Sequence, residues 1–429
     1  MIILIIKREL YLKRVRNLIN SEDVKIITGI RRSGKTCLLK LIIDELKEFG
    51  VNEKNIFYIS FESSVYDDIH TYKDLNKLIF DLTKDLDEKV YLLFDEIQDV
   101  HKWEKSINSF RVDLNADIYI TGSNSKLLSG ELSTLLSGRY KTIKIYPFSY
   151  KEILEYHSKD NPLTTQKEHE LFFEYLSYGG FPGLLKYDFF EKKESIKDIY
   201  NSIILKDILN RSNIKNNKLL MRLMEYMITS TGQIFSSNKV INYIISNNRS
   251  LIEGQKQRKP SANTIINYVK HAQDAFLLYE ARNEDIIGKK IFKELEKYYV
   301  VDPGLYYIFK DETNRSMGSL LESVVYIELL RRNYEVTVGR IYDLEVDFVC
   351  KKDNKTCYIQ VSESILGEKT RQRELKSLQK IRDNYPKYIL TLDSMKLPTR
   401  DIIHKNIIDF LKDDEIWSNM IFNYIMLFE

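Results

Sequence analysis

Apolar and polar positions along the first 150 residues or so predict strands separated by helices. VKIIT, Val24–Thr28, is a short apolar run that meets a glycine-rich turn. The following TCLLKLIIDELKEFG repeats its apolar positions at helical spacing and stops at Gly50, so strand, loop and helix follow in order. NIFYISFE (55–62), KVYLLFDE (89–96), DIYITGS (117–123) and KTIKIYPF (141–148) are strand-like, with helical stretches between them. Alternation of this kind predicts a parallel sheet with helices on both faces, ending near Phe148.

The pattern then changes. Residues 150 to 247 read mostly as helices, broken at YLSYGGFPGLL (175–185). SANTIINYVKHAQDA, from Ser261, predicts a helix. FLLYEARNEDIIGKKIFKELEKYYVVD follows as two strand-like runs around a lysine-containing connection. Helix followed by hairpin is the outline of a winged helix. From about Met317 a helix (LLESVVYIELLRRN) and the strands EVTVGR, EVDFVCK and CYIQVS predict a small separate α/β domain. The expected organisation is a parallel-sheet domain at 1–149, a helical region at 150–225, a winged-helix-like domain at 226–315 and an α/β domain at 316–429.

The 429 residues suit two or three domains at ~150 residues each. With 43% apolar and 30% charged residues, wholesale disorder is excluded. Lys and Arg total 65 against 62 acids, so no global field points to nucleic acid or membrane, and any such site must be local. Cys37, Cys350 and Cys357 are odd in number and lack metal-ligand spacing, which fits a reducing compartment. The opening MIILII is too short for a signal core or a span, so a soluble cytoplasmic protein that does not enter the membrane is expected.

Gly29-Ile30-Arg31-Arg32-Ser33-Gly34-Lys35-Thr36 matches G-x-x-x-x-G-K-[ST] between a predicted strand and a predicted helix, which is the context that motif requires. Its glycines let successive amides of Gly29, Arg31, Arg32, Ser33 and Gly34, and on into Lys35, Thr36 and Cys37 at the helix start, curl around phosphate oxygens. Lys35 is expected to neutralise the β- and γ-phosphates and the Thr36 hydroxyl to ligate Mg²⁺. VYLLFDE ends in Asp95-Glu96 at the carboxyl end of a buried strand, where ligands of open α/β sheets bind. Asp95 is the expected Mg²⁺ holder, and Glu96 is placed to polarise an attacking water. On the next strand Ser123 and Asn124 either bond the γ-phosphate or water, or cap the following helix; Thr121 is a further candidate. Arg139 is either an arginine finger toward a neighbouring subunit's nucleotide, which would need a homo-oligomer, or an exposed structural residue.

KIITGIRRSGKTCLL, LLFDEIQDV, ITGSNSKLLSGELSTLLSGRY and YPFSYKEIL resemble, in order, the signatures of a prokaryotic group of AAA-superfamily P-loop ATPases. YLSYGGFPGLL, LKDILNRS and YYVVDPGL resemble the C-terminal domain of unknown function that accompanies it. The resemblance implies ATP binding and hydrolysis, with Lys35, Thr36, Asp95 and Glu96 in the roles above.

In the last domain, Glu322 and EVDFVCKKDNKTCYIQVS resemble a restriction-endonuclease-like core, with Asp347 as the strand acid and Glu345 on the same face. Where that core carries an E-x-K triplet this chain reads Gln360-Val361-Ser362. The loss of a metal ligand and of the basic group implies a nuclease-like domain without catalysis. In the winged-helix candidate, Asn263, Asn267 and Lys270, with Lys289, Lys290 and Lys293 and the preceding Lys256, Arg258 and Lys259, offer a local DNA contact over residues 256–293; a protein partner or a solvated face are the other readings. The expectation is therefore an ATPase whose later domains recognise DNA or a protein. The alternatives are a nucleotide-gated switch with little turnover and an ATP-gated nuclease.

Overall fold

The structure is a computed structural model and describes residues 6–123, 136, 138–159, 161–210, 214, 216–246, 259–292, 295–310, 316–397, 399 and 401–416. The chain forms two units, Met1–Pro147 with Asp274–Phe276, and Phe148–Gln273 with Leu277–Glu429.

The first unit is an α/β layer structure. Strands β1 (Val24–Thr28), β2 (Ile56–Ser60), β3 (Val90–Asp95), β4 (Ala116–Gly122) and β5 (Tyr140–Lys144) lie in the order β2-β3-β4-β1-β5. Every pairing is parallel. Successive side chains of a strand point to opposite faces, and each face finds its own helices. Ile26, Leu92, Phe94, Ile118 and Ile120 pack on Leu75 and Ile79 of α3 (Tyr72–Thr83) and on Ile107 and Phe110 of α4 (Trp103–Asp113). Ile27, Leu93 and Tyr119 pack on Tyr11, Leu12 and Val15 of α1 (Glu9–Arg16) and on Leu38, Leu39 and Ile42 of α2 (Lys35–Glu48). Burial on both faces explains why these strands read as continuous apolar runs. The order sets β4 between β1 and β3, so the turn after β1 and the acids ending β3 open on the same sheet edge, one strand apart.

The second unit contains the helices Tyr150–His157, Thr165–Tyr178, Phe189–Ser202, Asn217–Thr229 and Ser237–Ser246, all of Ala262–Asp274 but its last residue, and a π-helical turn at Ile203–Leu209 that overlaps LKDILN. Strands β6 (Leu278–Ala281) and β9 (Lys297–Val300) form an antiparallel pair. Strands β7 (Asn283–Asp285), β8 (Lys290–Ile291), β10 (Glu335–Ile341), β11 (Leu344–Lys352), β12 (Lys355–Val361), β13 (Lys387–Thr391) and β14 (Ile402–Asn406) build a mixed sheet, ordered β14-β13-β12-β11-β10-β7-β8. The connection between β6 and β9 carries β7 and β8, and both join this sheet. Its β7 pairs parallel with β10, because Asn283 and Glu284 are buried and need ladder partners. Lys289 and Lys290 consequently lie exposed at the sheet's edge.

Two sequence stretches in this unit hold each other. The helix Thr165–Tyr178 ends at Gly179, where φ is +73°. A Cβ on Gly179 would stand 1.7 Å from Asp302 Oδ1. Asp302 accepts from the amides of Gly180 (2.7 Å) and Gly304 (2.9 Å), and the Gly180 carbonyl accepts from Phe148 N–H (2.7 Å). Close approach is thus the physical reason for glycine at 179, beside the Asp302 carboxylate, at 180, beside the Phe148 carbonyl, and at 304, beside the Tyr178 carbonyl. No helix of the described residues is long and apolar enough to cross a membrane.

Candidate functional site

The site forms where β1, β3 and β4 end. Gly29 leaves β1 at φ +152°, where a Cβ would meet the Ile145 carbonyl oxygen at 2.2 Å. Arg32 takes φ +63°, and Gly34, at φ +96°, caps α2. Left-handed turns of this kind curl the backbone and point successive amides inward, and α2 adds the positive end of its dipole. Lys35 is buried and donates to the carbonyls of Gly29 (3.2 Å) and Ile30 (3.3 Å). Its ammonium stands 3.8 Å from the Glu96 carboxylate. Arg31 reaches Glu62 at 3.9 Å; Cys37 is exposed on the first turn of α2.

Asp95 and Glu96 are held by hydroxyls. Thr36 Oγ1 donates to Asp95 Oδ2 at 2.8 Å. Thr121, on β4, donates to Asp95 Oδ1 at 2.5 Å and accepts the Glu96 N–H at 3.0 Å, so one side chain spans the gap between the two acids. Glu96 adopts φ +55°, ψ 45°, which turns its side chain out of the strand, and Gln98 donates to its Oε2. Tyr58 of β2 donates to Asp95 at 3.3 Å. Burial first, then the neighbouring Asp95, pushes the Tyr58 phenol up to about 12, so it stays a donor at neutral pH.

The structure brings Gly29, Ser33, Gly34, Lys35, Thr36, Asp95 and Glu96 together at one sheet edge. Ser123 is buried at the end of the same β4, while Asn124 lies outside the described residues. Arg139 is not near these groups. It precedes β5 and its carbonyl accepts from Val24, the first residue of β1, so it sits at the opposite end of the parallel sheet. The bridging role of Thr121 and the contacts of Tyr58 and Gln98 are additions from the structure. The local signal for Gln98 was its place two residues after Glu96; Tyr58 had none beyond an aromatic in a strand.

A second polar cluster lies in the second unit. Lys297 of β9 contacts Glu322 at 2.9 Å and Glu345 at 2.7 Å, and Arg340 contacts Glu345 at 2.8 Å. Burial works to lower the Lys297 pKa, but Glu322, Asp347 and Glu345 outweigh it and raise it. Asp347 accepts from the Val361 amide (2.8 Å); burial and then Glu322 drive its pKa upward. Gln360 donates to Glu374 at 3.1 Å. An ammonium therefore stands among the acids. Sequence reading missed it, although strand alternation puts Lys297 on the face of Tyr299. On the helix Ala262–Asp274, Asn263, Asn267 and Lys270 share an exposed face at i, i+4, i+7, and Lys259 is exposed before it. Lys256, Arg258 and Lys293 lie outside the described residues.

A phosphate loop, an acid-tipped strand one place removed and a fully parallel sheet define a P-loop nucleotide-binding domain of AAA type. The AAA domain family matches residues 21–154, and a domain of unknown function, DUF8612, matches residues 169–316. An uncharacterized protein of Haemophilus influenzae is 39% identical over 387 residues, 90% of this chain and 93% of that protein. One of Methanocaldococcus jannaschii is 32% identical over 404 residues, 92% and 84% of the two chains. The chain belongs to the family of these relatives, an AAA-type P-loop domain joined to a C-terminal domain of unknown function. Among solved structures, a Walker-type ATPase of Pyrococcus abyssi is similar with TM-score 0.48 and 16% identity, covering 71% of this chain and 96% of that one. The Aeropyrum pernix ORC1 protein, solved in complex with DNA, gives TM-score 0.34 and 11% identity, over 73% and 94%.

Proposed function

We propose that the chain is a Mg²⁺-dependent ATPase whose second unit recognises a macromolecular partner. The observation that supports it most is the chain of contacts Thr36–Asp95–Thr121–Glu96–Lys35, which unites the phosphate loop with both acids. In this reading the amides of residues 29–36 and the Lys35 ammonium bind the phosphates. The Thr36 hydroxyl and the Asp95 carboxylate are hard oxygen donors 2.8 Å apart, a set that suits Mg²⁺ completed by phosphate and water oxygens. Mg²⁺ held there supplies neutralisation of charge on the transferring phosphoryl group. Glu96 takes the proton of the attacking water, with Gln98 and Thr121 fixing its position; Ser123, at the end of β4, and Asn124, next to it in sequence, are the proposed contacts to the γ-phosphate. Arg139 lies at the opposite end of the sheet, so a finger role for it is one toward a nucleotide held by another copy of the chain. Phosphate release by purified protein tests the claim: turnover as slow as that of Lys35→Ala would refute it.

For the second unit we propose a winged-helix-like element, the helix Ala262–Asp274 followed by the β6/β9 pair, and a nuclease-like sheet without catalysis. Lys297 among Glu322, Glu345 and Asp347 already supplies a positive charge where a metal would be needed, and Gln360 bonds Glu374 instead of offering a carboxylate. This disfavours an ATP-gated nuclease. The exposed Asn263, Asn267 and Lys270 favour DNA as partner. Binding to duplex DNA at about 50 mM salt should weaken as salt rises and weaken further in Lys270→Glu; absence of binding there moves the reading to a protein partner.

A further inference from the structure

Arg8 is 2% exposed and precedes α1, far in sequence from the phosphate loop. Its Nη1 donates to the Ser33 carbonyl at 2.9 Å and its Nη2 to the Tyr146 carbonyl at 2.8 Å. The guanidinium lies 4.5 Å from the centre of the Tyr11 ring, and the Tyr11 hydroxyl accepts the Tyr146 N–H at 3.2 Å. One end of the loop is thus wedged where Gly29 abuts Ile145, and the other is pinned through Arg8 to the next residue of the same segment.

A trans peptide points its carbonyl and its N–H in opposite directions. Holding the Ser33 carbonyl toward Arg8 therefore commits the Gly34 N–H to the other side of that peptide. We propose that Arg8 is a positioning residue for nucleotide phosphate: it fixes the Ser33–Gly34 peptide so that its amide faces the hollow of the loop before any ligand arrives. The planar fork matters, because two carbonyls on two segments must be served by one side chain, and a lysine ammonium is a point donor on a flexible stem. Pre-set amides bind phosphate without a reorganisation cost, and their contacts are the same in the ground state and the transition state. The effect then falls on binding and spares the chemical step.

The inference rests on the phosphate-loop reading, and the experiment separates the two. Steady-state kinetics with MgATP, the Kd of a fluorescent ADP analogue and melting temperature are compared for wild type, Arg8→Lys and Arg8→Gln. Arg8→Lys keeps a buried cation and is the decisive variant. The expected result is a rise of about tenfold in both KM and ADP Kd, with kcat within about threefold of wild type. Unchanged ADP affinity in Arg8→Lys overturns the proposal, and so does a loss confined to kcat. Failure of wild type itself to bind ADP overturns the phosphate-loop reading instead.

Discussion

Replacing Glu96 by Gln keeps the shape of the side chain and removes its charge. Glu96 lies at the end of β3 with its amide on Thr121 and its carboxylate near Gln98 and 3.8 Å from Lys35. If it accepts the proton of the attacking water, losing it slows turnover by ~10²–10⁴, which is about 2.7 to 5.5 kcal/mol on the barrier. Binding moves the other way. In the free protein Lys35 is shared between Glu96 and the carbonyls of Gly29 and Ile30, and these hold it back from phosphate. The gross attraction between unit charges at that separation is about 4 kcal/mol at an effective dielectric of 20, most of it cancelled by desolvation. Removing the carboxylate therefore leaves ATP affinity equal or tighter, by up to about tenfold. Lys35→Ala, by contrast, loses affinity and turnover together. Phosphate release under steady state and titration with a fluorescent ATP analogue give both numbers. Glu96→Gln turning over within tenfold of wild type, or binding ATP as poorly as Lys35→Ala, would refute the assignment of base and lysine.

Other consequences concern the second unit. Burial pushes the Asp302 carboxyl up to about 7, against the opposing amides of Gly180 and Gly304. A native pKa above the unfolded one means that its proton-linked stabilisation is complete below about pH 4, declines across the interval to about 7 and is absent above it. Melting curves at several pH values should show this slope, and Asp302→Asn should flatten it while lowering stability overall, since an amide NH₂ would face a backbone donor; an unchanged slope counts against the assignment. A Cβ on Gly180 would lie 2.1 Å from the Phe148 carbonyl oxygen, whereas one on Gly183 would meet no heavy atom beyond its chain neighbours within 4 Å. Gly180→Ala should cost about 3 kcal/mol or more and Gly183→Ala little, both read from urea unfolding. Equal costs would show that close approach is not the constraint. Lys297→Met strands Glu322, leaving it the Tyr299 hydroxyl, while Glu345 keeps Arg340. Destabilisation of about 3 kcal/mol is expected, largely recovered by adding Glu322→Gln; a double variant no more stable than the single would dispose of the ion-pair account.

What could be read from the sequence follows from how each feature is encoded. Residues 29–36 and the pair Asp95-Glu96 were legible because a loop that curls around phosphate, and two acids at one strand end, require neighbours in the chain. The strands were legible from their apolar runs, but their order was not, since alternation marks which face is buried and is silent about which strand lies alongside. That order is what lets Thr121 reach both acids. In the second unit the same silence hid β7, whose short polar stretch carries no sign that it pairs with β10. Lys25 shows a further limit. As a charge in an apolar strand it suggests an exposed position, yet it is fully buried with Asp117 at 2.5 Å, and only the partner strand explains it. The groups that hold the site still come from afar: Arg8 lies 25 residues from Ser33, and Tyr58 lies 37 from Asp95. Contacts with a ligand impose local spacing on a sequence, while supporting contacts are set by the closure of the fold. Residues of the first kind therefore declare themselves as motifs, and those of the second kind, Arg8 foremost, become visible only when the chain is folded.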